Sequence, residues 1–137
     1  MLDNGTVKIV QNPAPDTVTI LDLKASPPRV VAEIAVPGSV VGPPLSVALT
    51  PDESLALVGS SSKVDPGDPT KTVPDTRVSV IDLTASPPAV IATLEAGRSA
   101  AGISINRRGT LALVANRSEG TVSVFSISGK TVTPVAR

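Results

Sequence analysis

Residues 17–34 read TVTILDLKASPPRVVAEI, and residues 77–94 read RVSVIDLTASPPAVIATL. Sixty residues apart, Asp22-Leu23 returns as Asp82-Leu83, and Ala25-Ser26-Pro27-Pro28 returns as Ala85-Ser86-Pro87-Pro88. In each copy an alternating apolar run is stopped by Ser-Pro-Pro and followed by a second run rich in Val and Ile. Alternation with period two marks a half-buried strand, and proline cannot donate to a ladder. Each copy therefore reads as two strands joined by a short connection.

Working outward, TVSVFSI at 121–127 is a third version of the first strand. A second block occurs three times, as DNGTVKIV at 3–10, PDESLALV at 51–58 and RRGTLALV at 107–114. A third block occurs twice, as LSVALT at 45–50 and AGISIN at 101–106. The blocks recur in one order, so the repeat has four short strands, a to d. Strand a is expected at 45–50 and 101–106, and strand b at 6–11, 55–60 and 111–116. Strand c is expected at 17–23, 77–83 and 121–127, and strand d at 29–35, 89–95 and 131–136. Asp52-Glu53 and Arg108-Gly109 lie where an a–b hairpin must reverse.

Val78 and Val122 are 44 residues apart, whereas Val18 and Val78 are 60 apart because residues 61–75 are inserted. A four-stranded antiparallel repeat of roughly 40–45 residues is the period of a β-propeller blade. The expected fold is all-β, built of propeller blades in an incomplete ring. A β-sandwich is the alternative, since it too uses short strands, although it needs no four-strand repeat. The chain reads as one partial domain over 1–137. Its first blade, about 1–36, is incomplete, and two further blades occupy 45–96 and 101–137, with an insertion loop at 61–75. A closed ring needs at least four blades, or roughly 160 residues. The chain is thus expected to be a piece of a longer propeller or to self-associate through open blade edges, which would otherwise expose strands and apolar faces.

Composition narrows the chemistry. There is no His and no Cys, which removes Ser-His-Asp and Cys-His catalysis, disulfides and most zinc ligands. There is no Trp or Tyr and a single Phe, Phe125, so aromatic platforms for stacking bases are absent. Twelve cations balance twelve carboxylates and are scattered, which argues against a nucleic-acid partner. No run of 18 apolar residues suggests a membrane span, and Met1-Leu2 is followed by Asp3-Asn4-Gly5 rather than by the basic start and apolar run of a signal peptide.

The pattern of a Pro-Asp turn, a strand ending in Val-x-Asn, and then Thr-Val-Ser-Val resembles the YVTN-type β-propeller repeats of surface-layer and lactonase-like seven-bladed propellers. Thr50-Pro51-Asp52-Glu53, Val114-Ala115-Asn116, Gly120-Thr121-Val122-Ser123-Val124 and Val78-Ser79-Val80-Ile81-Asp82 carry the resemblance. The name-giving Tyr is absent, and Arg107-Arg108-Gly109 replaces the Pro-Asp-Gly turn in the last repeat. The resemblance implies a seven-bladed parent that is often exported to the periplasm or cell surface. The repeat, the bland loops and the missing catalytic residue types point to a non-catalytic binding or protein-interaction module; as the alternative, the resemblance implies a fragment of a lactonase-like ester or lactone hydrolase using metal-bound or carboxylate-activated water.

Functional residues are expected on the rim formed by the d–a and b–c loops. The ligand-binding candidates are Arg98, in Gly97-Arg98-Ser99, and Asn116, Arg117 and Glu119 of the last b–c turn. In the insertion, Asp65, Asp68 and Asp75 could offer oxygen ligands to a divalent cation such as calcium, although a solvated, mobile surface loop explains them more simply. Asp22 and Asp82 read as turn caps. No catalytic set and no required cofactor is indicated. The partner, whether protein or small molecule, is not written in the sequence.

Overall fold

The computed structural model describes residues 14–38 and 46–136, and the backbone alone of residues 2–3 and 6–7. Among these residues every regular element is a strand, so no helix is long and apolar enough to cross a membrane.

Two complete four-stranded antiparallel sheets form the centre of the chain. The first contains β5 (Val47–Leu49), β6 (Leu55–Gly59), β9 (Arg77–Asp82) and β10 (Ala89–Glu95), in that order across the sheet. The second contains β11 (Ala100–Ile105), β12 (Leu111–Asn116), β13 (Thr121–Ser128) and β14 (Thr131–Ala136). Each is an up-and-down meander of the expected blade-like form. Before them, β3 (Thr17–Asp22) pairs with β4 (Arg29–Ala35) as a hairpin. Near the start, β1 (Leu2–Asp3) pairs with β2 (Thr6–Val7). The strand expected at 6–11 is described only at Thr6–Val7, and its remainder lies outside the described residues.

The insertion at 61–75 differs from expectation. It is not a loop but an antiparallel ribbon of β7 (Ser62–Asp65) and β8 (Asp68–Pro74), with Ser62 opposite Pro74 and Asp65 opposite Asp68. Pro66-Gly67 sits at its tip, where Asp65 Oδ1 accepts the Gly67 N–H at 2.8 Å. The two prolines within β8, Pro69 and Pro74, are tolerated because the ribbon is a two-stranded sheet of its own whose outer edge is unpaired.

Registers make the two sheets superimposable in sequence. Val58 lies opposite Ser79 in the first, and Val114 opposite Ser123 in the second. Ser60 donates its N–H to the Arg77 carbonyl just as Asn116 lies opposite Thr121, so Ser60 and Asn116 hold equivalent places.

The middle sheet is covered on both faces, which explains why all five residues of β6 are buried instead of alternate ones. One face, with Leu55, Leu57, Val78 and Val80, packs on Ala112, Val114, Phe125 and Ile127 of the second sheet. The other face, with Ala56, Val58 and Ile81, packs on Ile34 and Val36 and on the half-buried Val18 and Ile20 of the first hairpin. A bridging ion pair ties the two sheets at one end. Lys130, in the β13–β14 turn, donates to Asp82 Oδ2 at 2.5 Å and to Thr84 Oγ1 at 2.7 Å.

Asp82 also caps its own turn, with Oδ1 accepting the N–H of Thr84 at 2.9 Å and of Ala85 at 3.2 Å. Asp22 does the same for Lys24 N–H at 2.9 Å. Both Ser26–Pro27 and Ser86–Pro87 are cis.

Candidate functional site

The d–a and b–c loops meet on one rim, where the root of the β7–β8 ribbon joins them. The loop 96–99 enters β11, and the turn 116–120 links β12 to β13. In that turn Glu119 N–H and Gly120 N–H both reach the Asn116 carbonyl, at 3.0 and 2.9 Å. Gly120 has φ +66°, a left-handed conformation open to glycine at little cost.

Asn116 occupies the middle of the rim and is fully buried. Its Oδ1 accepts the Gly97 N–H at 2.8 Å, and its Nδ2 donates to Thr121 Oγ1 at 2.9 Å and Ser123 Oγ at 3.0 Å. Ser123 Oγ accepts the same Gly97 N–H at 3.1 Å. The amide is therefore saturated by the protein, and Asn116 braces the rim rather than presenting a group to a ligand. Gly97 is obligatory here, since a Cβ would lie 2.5 Å from both Asn116 Nδ2 and Glu119 Oε2.

Glu119 is also turned inward. Its Oε1 accepts the Arg98 N–H at 3.0 Å and its Oε2 accepts the Thr121 hydroxyl at 3.2 Å. Two backbone bonds complete the stitch, from Arg117 N–H to the Ser99 carbonyl at 3.1 Å and from Ser118 N–H to the Arg98 carbonyl at 3.2 Å. Ser99 and Ser118 share a hydroxyl–hydroxyl bond of 2.6 Å. These bonds hold Ser99 at φ +59°, a conformation that a non-glycine residue keeps only when its surroundings fix it.

Asp75, expected as a cation ligand, is fully buried at the root of the ribbon. Burial raises its pKa, but the hydrogen bonds from Arg77, Ser60 and the Thr76 N–H outweigh that effect and hold it below the usual carboxylate value. Arg77 grips it in a fork, with Nε 3.0 Å from Oδ1 and Nη2 2.6 Å from Oδ2. The Asp75 carbonyl accepts the N–H groups of Ser99 and Ala100, at 2.8 and 3.3 Å. Ribbon root, d–a loop and b–c turn are thus one hydrogen-bonded unit.

The structure does not bring the three expected cation ligands together. Asp65 and Asp68 face each other at the ribbon tip, and Asp75 lies at its base, seven residues along the strand from Asp68 and so roughly 20 Å away. Asp68 is committed locally. The Thr70 hydroxyl at 2.6 Å and Lys71 Nζ at 2.9 Å draw its pKa below the usual carboxylate value. Among the described residues no three His, Cys, Asp or Glu side chains gather as a cation site.

Arg98 and Arg117 remain. Both are exposed, and among the described residues neither guanidinium has a hydrogen-bond or ion-pair partner. Their backbones are bound side by side through Ser99 and Ser118. The sequence placed Arg98, Asn116, Arg117 and Glu119 together on the rim, but not the division of labour by which two brace it and two face outward. It also missed Gly97, Ser99, Ser123 and Arg77. Ser79 and Ser123 were visible as the shared serine of RVSV and TVSV, but no local pattern says that one is bonded and the other is not.

No family model matches the chain, and no curated protein matches it. Among solved structures it is similar to a functionally unknown protein from Desulfotomaculum acetoxidans DSM 771, with a TM-score of 0.58 at 17% sequence identity. The alignment covers 79% of this chain and 30% of that protein, so the chain spans less than a third of its length. At this identity the likeness concerns the fold alone.

Proposed function

We propose that the chain supplies consecutive blades of a β-propeller of the YVTN-repeat kind and acts as a non-catalytic binding module through its braced rim. The observation that carries this reading is the state of the rim's polar groups. Asn116, Glu119 and Asp75 are spent on holding three loops in place, while the exposed Arg98 and Arg117 stand out from that frame with no partner among the described residues. A preorganised frame lowers the entropic cost of binding, and two free guanidinium groups select carboxylate or other anionic groups on the partner. The meander order of the two sheets, their face-to-face stacking and the 44-residue spacing support the blade reading. Hydrolase chemistry through Asp65, Asp68 and Asp75 has no such geometry behind it, because those carboxylates are divided between the two ends of the ribbon.

The test is a titration of a fluorescently labelled polyglutamate peptide into the purified chain at low salt. The intact protein is expected to bind it with a salt-dependent affinity. The Arg98→Gln, Arg117→Gln double variant is expected to bind at least about tenfold more weakly with an unchanged melting curve. Equal binding by the variant would remove the rim from consideration.

A further inference from the structure

We infer that the outer face of the last sheet, centred on Leu113, docks the first hairpin of a second copy of this chain, head to tail. The inference stands on the stacking of the sheets and is independent of what the rim binds. The interface between the two complete sheets is its template. There the middle sheet offers Leu55, Leu57, Val78 and Val80, each 0% exposed. The last sheet carries the same face at the equivalent places, as Leu111, Leu113, Val122 and Val124. On this face Leu113 lies opposite Val124, just as Leu57 lies opposite Val80. In the last sheet, however, no described element is stacked on it, and Leu111, Leu113 and Val122 are 42%, 46% and 47% exposed.

The opposite half of the same interface is open at the other end of the stack. The hairpin β3–β4 turns Val18 and Ile20 toward the middle sheet and leaves Leu21 on its far side, 51% exposed, with Val31 at 55%. In the middle sheet the residue equivalent to Leu21 is Ile81, which is 0% exposed because the hairpin covers it. One chain therefore displays both partners of an interface that it already forms internally. Each open face is the wrong half to pair with itself, so copies would join heterologously. Contiguous apolar surface of this kind is uncommon on a protein that stays alone in solution.

The test uses two single variants, Leu113→Glu and Leu21→Glu, measured by size-exclusion chromatography with light scattering. Both positions are exposed, and an unchanged circular dichroism spectrum checks that each variant folds. Val122→Glu is a second variant of the outer face should Leu113→Glu fold poorly. The unaltered chain is expected to form dimers and longer species as concentration rises. Each variant alone is expected to be monomeric, with the dissociation constant raised at least about 100-fold. An equimolar mixture of the two variants is expected to give a 1:1 pair and nothing larger, because one usable face of each kind remains. The proposal is overturned if the unaltered chain stays monomeric, if either variant alone still associates, or if the mixture does not pair. The first of these outcomes would assign the face to further repeat sheets in cis.

Discussion

Gly97 and Asn116 lie on separate connections of the rim, and the Gly97 N–H donates to Asn116 Oδ1 at 2.8 Å in a site closed to solvent. The bond fastens the entry to β11 onto the exit of β12, so the strand order of the last sheet and the geometry of its rim depend on each other. Replacing Gly97 with Ala would force a Cβ against Asn116 Nδ2 and Glu119 Oε2. The expected cost is about 2 kcal/mol, read as a lower urea midpoint. Asn116→Ala should cost a similar amount, about 2 kcal/mol, because Thr121 and Ser123 lose their common partner. An unchanged midpoint in both variants would contradict the brace.

The equivalent place in the middle sheet lacks this brace, and Ser79 shows the consequence. Its hydroxyl is buried and has no hydrogen-bond partner among the described residues. Ser123, its counterpart, is bonded to Asn116 and Gly97. In the middle sheet Asn116 is replaced by Ser60, whose hydroxyl turns to Asp75 and to the Gly38 carbonyl, and Gly97 is replaced by Pro37, which has no N–H. Ser79→Ala should therefore be neutral or stabilising by about 1 kcal/mol, while Ser123→Ala destabilises by about 1 kcal/mol. Thermal melts of the two variants side by side decide the matter, and equal losses would show that Ser79 is bonded after all.

Leu57 and Leu113 occupy equivalent strand positions but opposite fates. Leu57 is 0% exposed between two sheets and Leu113 is 46% exposed. Leu57→Ala is expected to cost about 3 kcal/mol through lost burial and the cavity left behind. Leu113→Ala, in dilute solution, should cost less than about 1 kcal/mol. Chemical denaturation at low protein concentration measures both.

Acid should weaken the joint between the sheets. The hydrogen bond from Lys130 pulls the Asp82 carboxyl down to about 2 from a usual value of 3.8, helped by the Thr84 hydroxyl. A folded-state pKa below the unfolded one means that the folded chain holds fewer protons in this interval. The stabilisation is complete above about pH 4 and is lost progressively as pH falls toward 2. Replacing Lys130 with Met should raise the Asp82 carboxyl and flatten stability between pH 4 and pH 2. Urea midpoints across that interval test it, and an identical acid slope in the variant would rule out the pair as its source.

The sequence by itself determined the strands of the two complete sheets and their order. Strand d of all three repeats, and strand b at 111–116, fall where alternation and turn residues place them, because period-two patterning and Pro-Pro or Arg-Gly breakers act over a few residues. It also put Arg98, Asn116, Arg117 and Glu119 on one rim, since strands that alternate in direction bring the d–a and b–c connections to the same end. Three things required the tertiary structure. The ribbon β7–β8 came from pairing across residues 62–74, a choice that Pro, Gly and Thr do not announce locally. Asp75 is a buried ion-pair anchor rather than a cation ligand because Arg77, Ser60 and the loop before β11 close over it. Leu57 and Leu113 read alike, and only the sheet stacked on one and not the other makes the first a core residue and the second an open contact. Alternation says which side of a strand is apolar, but burial is a property of what lies against that side.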